Sequence, residues 1–159
     1  MKAVFFARSL RASRFVALSL LFTLAAFPTH SELVLVVNNR SSIEHLSREE
    51  AINIFMGRYR KAPDDSAIHP FDLESDSPVR KAFYRQLIDK SQEEVSAYWA
   101  RLVFAGRTVP PTAAKGQREL LEKLSNDPSA IGYVDRSFLN GIESSGLAKN
   151  LKAVYSLPN

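Results

Sequence analysis

From residue 32 onward, short apolar runs of strand type alternate with longer segments of helical type, and this alternation restricts the chain to few folds. The run Leu33–Val37 (LVLVV) predicts a buried strand. Two capping boxes, Ser47-x-x-Glu50 and Ser91-x-x-Glu94, each open a segment with apolar residues at helical spacing. The predicted order β-α-β-α-α-α-β-β indicates an α/β fold, built as a three-layer sandwich. Further strands are predicted over Ile68–Asp72, Ile131–Asp135 and Leu151–Ser156.

The helical and strand patterns also predict which large side chains meet in the core. Phe55, Phe83, Trp99 and Ile131 each lie on the apolar face of a predicted element, and we expect them to be buried in one domain. Pro70 lacks a backbone N–H, so its strand is expected at an edge of the sheet or at a bend. Residues 109–111 (VPP) are expected to form a rigid loop.

The first 31 residues have the composition of an export signal. An apolar stretch, Phe15–Phe27, is followed by Pro28 and by small residues at Thr29 and Ser31, which suit a cleavage site before Glu32. We therefore predict a signal peptide over residues 1–31 and a single domain over residues 32–159, located in the periplasm. The alternative is an uncleaved amino-terminal anchor. The basic residues that precede the apolar stretch are Lys2, Arg8, Arg11 and Arg14.

The net positive charge of the chain comes from these first 31 residues. The 159 residues include 21 Lys and Arg against 17 Asp and Glu, and removal of the four basic leader residues leaves 17 against 17. A neutral domain has no general attraction for nucleic acid, so we expect no nucleic-acid partner. The chain has no cysteine, which excludes disulfides, thiolate metal sites and cysteine nucleophiles.

Sequence motifs of catalysis are absent. There is no glycine-rich phosphate loop, no HExxH and no G-x-S-x-G. His45 and His69 lack the spacing of a helical metal site and are interpreted as surface residues. We predict that the protein is not an enzyme and has no cofactor or metal. Several acids could pair as general acid and base, but loops rich in Asp usually serve turns: Asp64, Asp65, Asp72 and Asp76.

Two local features allow a functional interpretation beside a structural one. Arg58, Arg60 and Lys61 follow a predicted helix, where cations complement the helix dipole; the alternative is a partner-docking patch. The segment Ser75–Pro78 (SDSP) leads from a strand into a helix. Such a helix start attracts oxyanions; the alternative, which the spacing alone favours, is that Ser77 is an ordinary N-cap.

The region from Leu46 to Asp135 resembles the phosphate-binding proteins of ABC transporters, in particular short, single-lobe members of this family with the type 2 periplasmic-binding fold. The resemblance covers about ninety residues in the family's order. It is carried by residues 46–50 (LSREE) with 54–57 (IFMG), 77–80 (SPVR) with Phe83, 98–99 (YW), 104–107 (FAGR) with 110–111 (PP), and 126–134 (NDPSAIGYV).

This resemblance implies a solute-binding module linked to uptake or sensing, with phosphate or a similar oxyanion as ligand and a membrane transporter or other periplasmic complex as partner. The alternative is an accessory module that keeps the lobe without binding a ligand. Leu73 stands where the family has a ligand arginine, and Glu74 and Asp76 repel anions, so the expected binding is weak. The implied oxyanion ligands are Ser75, Ser77, Arg80 and Asn38.

Overall fold

The computed structural model describes residues 32–62, 65–142 and 146–158. The predicted signal peptide and Asp64 lie outside these described residues. In the described ranges, no helix combines the length and the apolar character needed to cross a membrane.

Strands and helices alternate along the described chain, as the sequence patterns predict. The strands are β1 (Leu33–Asn38), β2 (His69–Leu73), β3 (Thr112–Ala114), β4 (Ala130–Asp135) and β5 (Leu151–Ser156). The helices are α1 (Arg48–Phe55), α2 (Pro78–Ile88), α3 (Gln92–Phe104), α4 (Gln117–Asn126) and α5 (Arg136–Gly141), and a 3₁₀ turn spans Ala148–Asn150. Both predicted capping boxes are formed, at the starts of α1 and α3.

The five strands form one mixed sheet in the order β3-β2-β4-β1-β5. Strand β2 is parallel to β3 and β4, whereas β1 is antiparallel to both β4 and β5. The carboxyl ends of four strands therefore share one edge of the sheet, which we call the carboxyl edge: Leu73, Ala114, Asp135 and Ser156. The final residue of β1, Asn38, lies at the opposite edge.

Helices cover both faces of the sheet. Neighbouring residues of a strand point to opposite faces, and in β4 this places Gly132 against Leu120 of α4 and Tyr133 against Phe83 of α2. A Cβ atom on Gly132 would lie 2.7 Å from the Leu120 side chain, so the lack of a side chain allows α4 to pack closely. The predicted three-layer α/β sandwich is confirmed.

Aromatic rings fill the layer between the sheet and helices α1 and α2. The rings of Phe83 and Tyr133 stack with centroids 3.7 Å apart, and Phe55 meets Phe83 edge-on at 4.9 Å. Trp99 and Ile131 are buried in the same apolar core. The prediction that Phe55, Phe83, Trp99 and Ile131 share one core is therefore confirmed.

Tight glycine turns end α1 and α3. Gly57 and Gly106 have φ angles of +72° and +63°, the left-handed conformation that closes many helices. A Cβ on Gly57 would lie 2.7 Å from the Trp99 ring, whereas the same atom on Gly106 would meet nothing within 4 Å. Gly57 therefore allows α1 to approach α3 closely, and Gly106 serves only the turn.

Two expectations about the sheet are wrong. Strand β2 lies inside the sheet, although Pro70 suggested an edge or a bend. Pro70 pairs with Ile131 of β4, but pairing with β3 begins only at Phe71. On the β3 side of Pro70 no strand is paired, so the missing N–H of the proline costs the sheet no hydrogen bond there. The segment after the predicted rigid loop, Thr112–Ala114, forms the short parallel strand β3 that was not expected.

Candidate functional site

The loop from β2 to α2 lies at the carboxyl edge and forms one wall of an open cleft. In α/β sheets this position, beyond the carboxyl ends of the strands, is where ligands usually bind. The cleft has a volume of about 590 Å³. Its walls are formed by Asp72, Leu73, Glu74, Ser75, Asp76, Arg80, Pro110, Pro111 and Ala113.

Ser77 is the N-cap of α2, and Pro78 occupies the first helical position, as predicted. The Ser77 hydroxyl accepts a hydrogen bond from the Arg80 N–H at 3.4 Å, so the functional and structural interpretations of this serine compete for the same oxygen. The N–H of Ser77 donates to the carbonyl of Glu74 at 3.0 Å, which closes a turn.

The two central residues of this turn keep free donors. In the described part of the chain, the N–H groups of Ser75 and Asp76 and the hydroxyl of Ser75 form no hydrogen bond. Both residues are exposed and line the cleft. These three donors are available to an acceptor in the cleft.

A buried ion pair supports the floor of the cleft. The Arg80 Nε donates to Asp72 Oδ2 at 2.8 Å, and the two side chains are only 10% and 5% exposed. The same carboxylate accepts hydrogen bonds from the Tyr84 hydroxyl (2.8 Å), from the Tyr133 hydroxyl and from the N–H of Leu73 (2.8 Å). Four donors therefore compensate the buried charge of Asp72, as a buried carboxylate requires.

The surroundings of this ion pair raise the pKa of Arg80 and of the two tyrosines that bond to Asp72. Burial, the largest single influence, lowers the pKa of Arg80, but the charge of Asp72, the hydrogen bond to it and the two neighbouring tyrosines together outweigh burial, and the net shift is upward. Burial, reinforced by the charge of Asp72, raises the pKa of Tyr84 and of Tyr133 well above that of a free tyrosine. Arg80 is thus a fixed cation, and both tyrosines remain neutral hydrogen-bond donors.

One edge of the Arg80 guanidinium has no hydrogen-bond partner among the described residues. Nε is bonded to Asp72, and Nη1 donates to the side chain of Gln92, while Nη2 has no acceptor among the described residues. The guanidinium also lies 4.9 Å from the centre of the Tyr84 ring, which restrains its plane. Arg80, which lines the cleft, therefore keeps its Nη2 donors free in a nearly fixed orientation.

The other sequence-predicted residues are distributed unequally. Leu73, which replaces the family's ligand arginine, is 2% exposed and packs in the core. Asn38 lies at the opposite edge of the sheet, where its amide donates to the carbonyls of Leu124 (3.0 Å) and Ser125 (2.7 Å). Ser75 and Arg80 thus line one cleft, Ser77 lies beside them in sequence as the N-cap of α2 without lining it, and Asn38 lies elsewhere.

Sequence reasoning missed the two tyrosines of the cluster. Tyr84 lies four residues after Arg80 and therefore on the same face of α2, and Tyr133 lies two residues after Ile131 on the same face of β4. A polar tip on an otherwise apolar face was the available signal, because a buried tyrosine hydroxyl usually has a partner.

The histidines and remaining acids form no second site. His69 Nδ1 lies 2.8 Å from Asp127 Oδ2, and Asp65 pairs with Lys61 at 2.7 Å. Over residues 32–62, 65–142 and 146–158, no three side chains of the His, Asp and Glu type converge as metal ligands.

Solved structures share this fold. An ABC-type phosphate transport receptor from Vibrio cholerae matches 78% of this chain at a TM-score of 0.55 and 17% identity. PstS from Borrelia burgdorferi matches the same share at a TM-score of 0.58 and 18% identity. The match covers 45% and 46% of those two chains, so this chain spans less than half of their length. The expected likeness to a single lobe of such proteins is confirmed for the fold.

Sequence comparisons give no second line of evidence. No protein-family model matches the chain, and no curated protein matches its sequence.

Proposed function

We propose that this protein is an exported, single-lobe module of the phosphate-binding-protein type that binds phosphate or a similar oxyanion weakly in the cleft at the start of α2. Residues 1–31 serve as a cleaved signal peptide, and residues 32–159 form the periplasmic domain. The fold shared with phosphate-transport receptors supports the class of function. A membrane transporter or another periplasmic complex is the proposed partner.

The free edge of Arg80 is the observation that carries the proposal. Asp72 and Gln92 hold this guanidinium in place, and Arg80 lines the same cleft as Ser75 and Asp76, whose donors are free. A guanidinium edge and backbone N–H groups are the donors that recognise oxyanions. In this arrangement Arg80 takes the part that a residue at position 73 cannot take, because Leu73 is committed to the core.

The charge of the cleft keeps the affinity low. Three carboxylates, Asp72, Glu74 and Asp76, line the same space as the single guanidinium of Arg80. Each hydrogen bond to a charged ligand contributes about 1.5–3 kcal/mol, and association costs about 4–15 kcal/mol. A few such bonds are opposed by the rim carboxylates Glu74 and Asp76. We therefore expect dissociation constants in the millimolar range, which correspond to a binding free energy of roughly 4 kcal/mol.

An NMR titration with inorganic phosphate tests this site. We expect small amide shifts at Ser75 and Asp76, and a tighter dissociation constant in the double variant Glu74→Gln/Asp76→Asn because repulsion is removed. The matched control is Glu49→Gln/Glu122→Gln, which removes two exposed acids away from the cleft and should leave the constant unchanged. Absence of any shift in both the wild type and the cleft variant would refute oxyanion binding.

The accessory module remains the second candidate, and the acidic rim of the cleft favours it. A lobe that has lost its ligand would retain the Asp72–Arg80 pair for stability and would show no response to phosphate. The same titration therefore separates the two functions.

Export is tested independently of the ligand. Mass spectrometry of the protein recovered from the periplasm should find a chain that begins at or near Glu32. Retention of the segment Phe15–Phe27 would contradict the signal peptide and favour the uncleaved anchor.

A further inference from the structure

The carboxyl end of α3 exposes apolar side chains that the cleft does not use. Phe104, the last residue of the helix, is 95% exposed, and Val103 and Val109 are 50% and 63% exposed. A single exposed apolar residue is ordinary, but these three flank one turn. We call these three residues, together with Arg58, Arg60, Arg101 and Arg107, the Phe104 surface.

Backbone hydrogen bonds fix this turn. The N–H of Gly106 donates to the carbonyl of Val103 at 3.0 Å, and that of Arg107 donates to Leu102 at 3.0 Å, which is the Schellman pattern of a helix end. Phe104 is therefore displayed by a regular helix terminus, and its exposure does not come from an irregular loop.

The basic segment after α1 joins the same surface. Arg60 donates through Nη2 to the carbonyl of Val109 at 2.7 Å and to the Thr108 hydroxyl. The Tyr98 hydroxyl donates to the carbonyl of Met56 at 2.8 Å, which holds the end of α1 against the middle of α3. Arg60 thus lies beside the turn that follows α3, and Arg58, which donates to Asn53 of α1, is two residues away in the same segment.

The Phe104 surface has an uncompensated positive charge. The sequence contains no Asp or Glu between Glu94 and Glu119, and none between Glu50 and Asp64. Within the described residues, no carboxylate pairs with the four arginines of the surface, whereas Lys61 is neutralised by Asp65. These arginines are Arg58, Arg60, Arg101 and Arg107.

We propose that the Phe104 surface docks onto an anionic phospholipid surface. A protruding aromatic side chain can enter the boundary between headgroups and acyl chains, while surrounding arginines bind lipid phosphates. Three apolar side chains are few for a stable protein interface, which buries about 800 Å² on each partner. Phe104 also stands outward instead of lining a groove, so a deformable lipid boundary suits it better than a rigid protein partner.

A fluorophore placed on the surface reports docking directly in the full-length chain. The protein has no cysteine, so Val109→Cys can be labelled uniquely with an environment-sensitive dye. We expect a blue shift on vesicles that contain phosphatidylglycerol and none on pure phosphatidylcholine. Arg118→Cys, at an exposed position of α4, is the matched control and should show no shift on either. This local readout distinguishes docking of the Phe104 surface from any attachment of the vesicles to residues 1–31.

Variants then separate the apolar and ionic contributions. In the labelled protein, Phe104→Ser should weaken partitioning onto anionic vesicles about tenfold, and Arg107→Gln should weaken it about fivefold. High salt should abolish binding because it screens the ionic contacts. Phe104 is almost fully exposed, so its variant should keep the unfolding transition of the wild type. An unshifted dye on anionic vesicles, or an equal shift on neutral vesicles, would overturn the proposal; in the first case an acidic protein partner becomes the better occupant.

Discussion

Replacement of Asp72 by asparagine should destabilise the protein more than any other change of a single polar atom in the cluster. Asparagine keeps one oxygen, which can still accept from the Leu73 N–H and the Tyr133 hydroxyl. Its amide nitrogen, however, takes the place of Oδ2, which accepts from Arg80 and Tyr84. The substitution therefore places a donor against two donors and leaves a buried guanidinium without its counterion.

The expected loss of unfolding free energy follows from this geometry. Removal of one partner of a buried ion pair costs about 3–5 kcal/mol. Arg80 keeps its bond to Gln92 and a 10% exposed edge, so the lower end of this range, about 3 kcal/mol, applies to Asp72→Asn. Loss of the Tyr84 hydroxyl alone, in Tyr84→Phe, should cost about 1.5–3 kcal/mol because the acceptor is charged.

Urea unfolding followed by Trp99 fluorescence measures these losses. Trp99 is the only tryptophan and is 6% exposed, so its emission reports the core. The double variant Asp72→Asn/Arg80→Met removes the stranded cation and should be less destabilised than the sum of the two single variants. A loss below about 1 kcal/mol for Asp72→Asn, or strict additivity in the double variant, would refute the ion-pair reasoning.

Two further predictions concern the turns and the tyrosines. Gly57→Ala should cost about 2–4 kcal/mol because it combines a left-handed φ with a clash against Trp99, whereas Gly106→Ala should cost only the backbone term of about 1–2 kcal/mol; equal unfolding midpoints would contradict this. Tyr84 and Tyr133 have raised pKa values when folded, so only the unfolded state releases their protons just above pH 10. Stability should be unaffected by these groups below about pH 10 and fall above it. The check is urea unfolding against pH, and a flat alkaline profile would contradict the burial of these hydroxyls.

Local sequence signals account for most of the fold. The capping boxes and the apolar run of β1 correspond to observed helix starts and to a buried strand because these signals act within a few residues. Strand β3 is different. Two of its three residues are alanines, which have little strand propensity, and the segment becomes a strand because β2 offers a parallel partner.

The site was predictable only in part for the same reason. Ser77 as an N-cap follows from the neighbouring Pro78, and the structure confirms it. The bond between Asp72 and Arg80 joins a strand to a helix, and the sequence patterns do not show which of the nearby acids pairs with Arg80. The position of Asn38 could not be predicted without the strand directions. Because β1 pairs antiparallel to β4, this residue lies at the edge of the sheet opposite the cleft.

The place of β1 in the sheet determines when the protein can fold. This first strand lies between β4 and β5, so its two neighbours are the last strands to be synthesised. Until both of these strands are in place, β1 has two open edges, and an open apolar strand invites aggregation. The high contact order of these pairings slows the closing of the sheet. We therefore expect amino-terminal fragments that stop before Ala130 to remain unfolded, and completion of the core to require β5 as well.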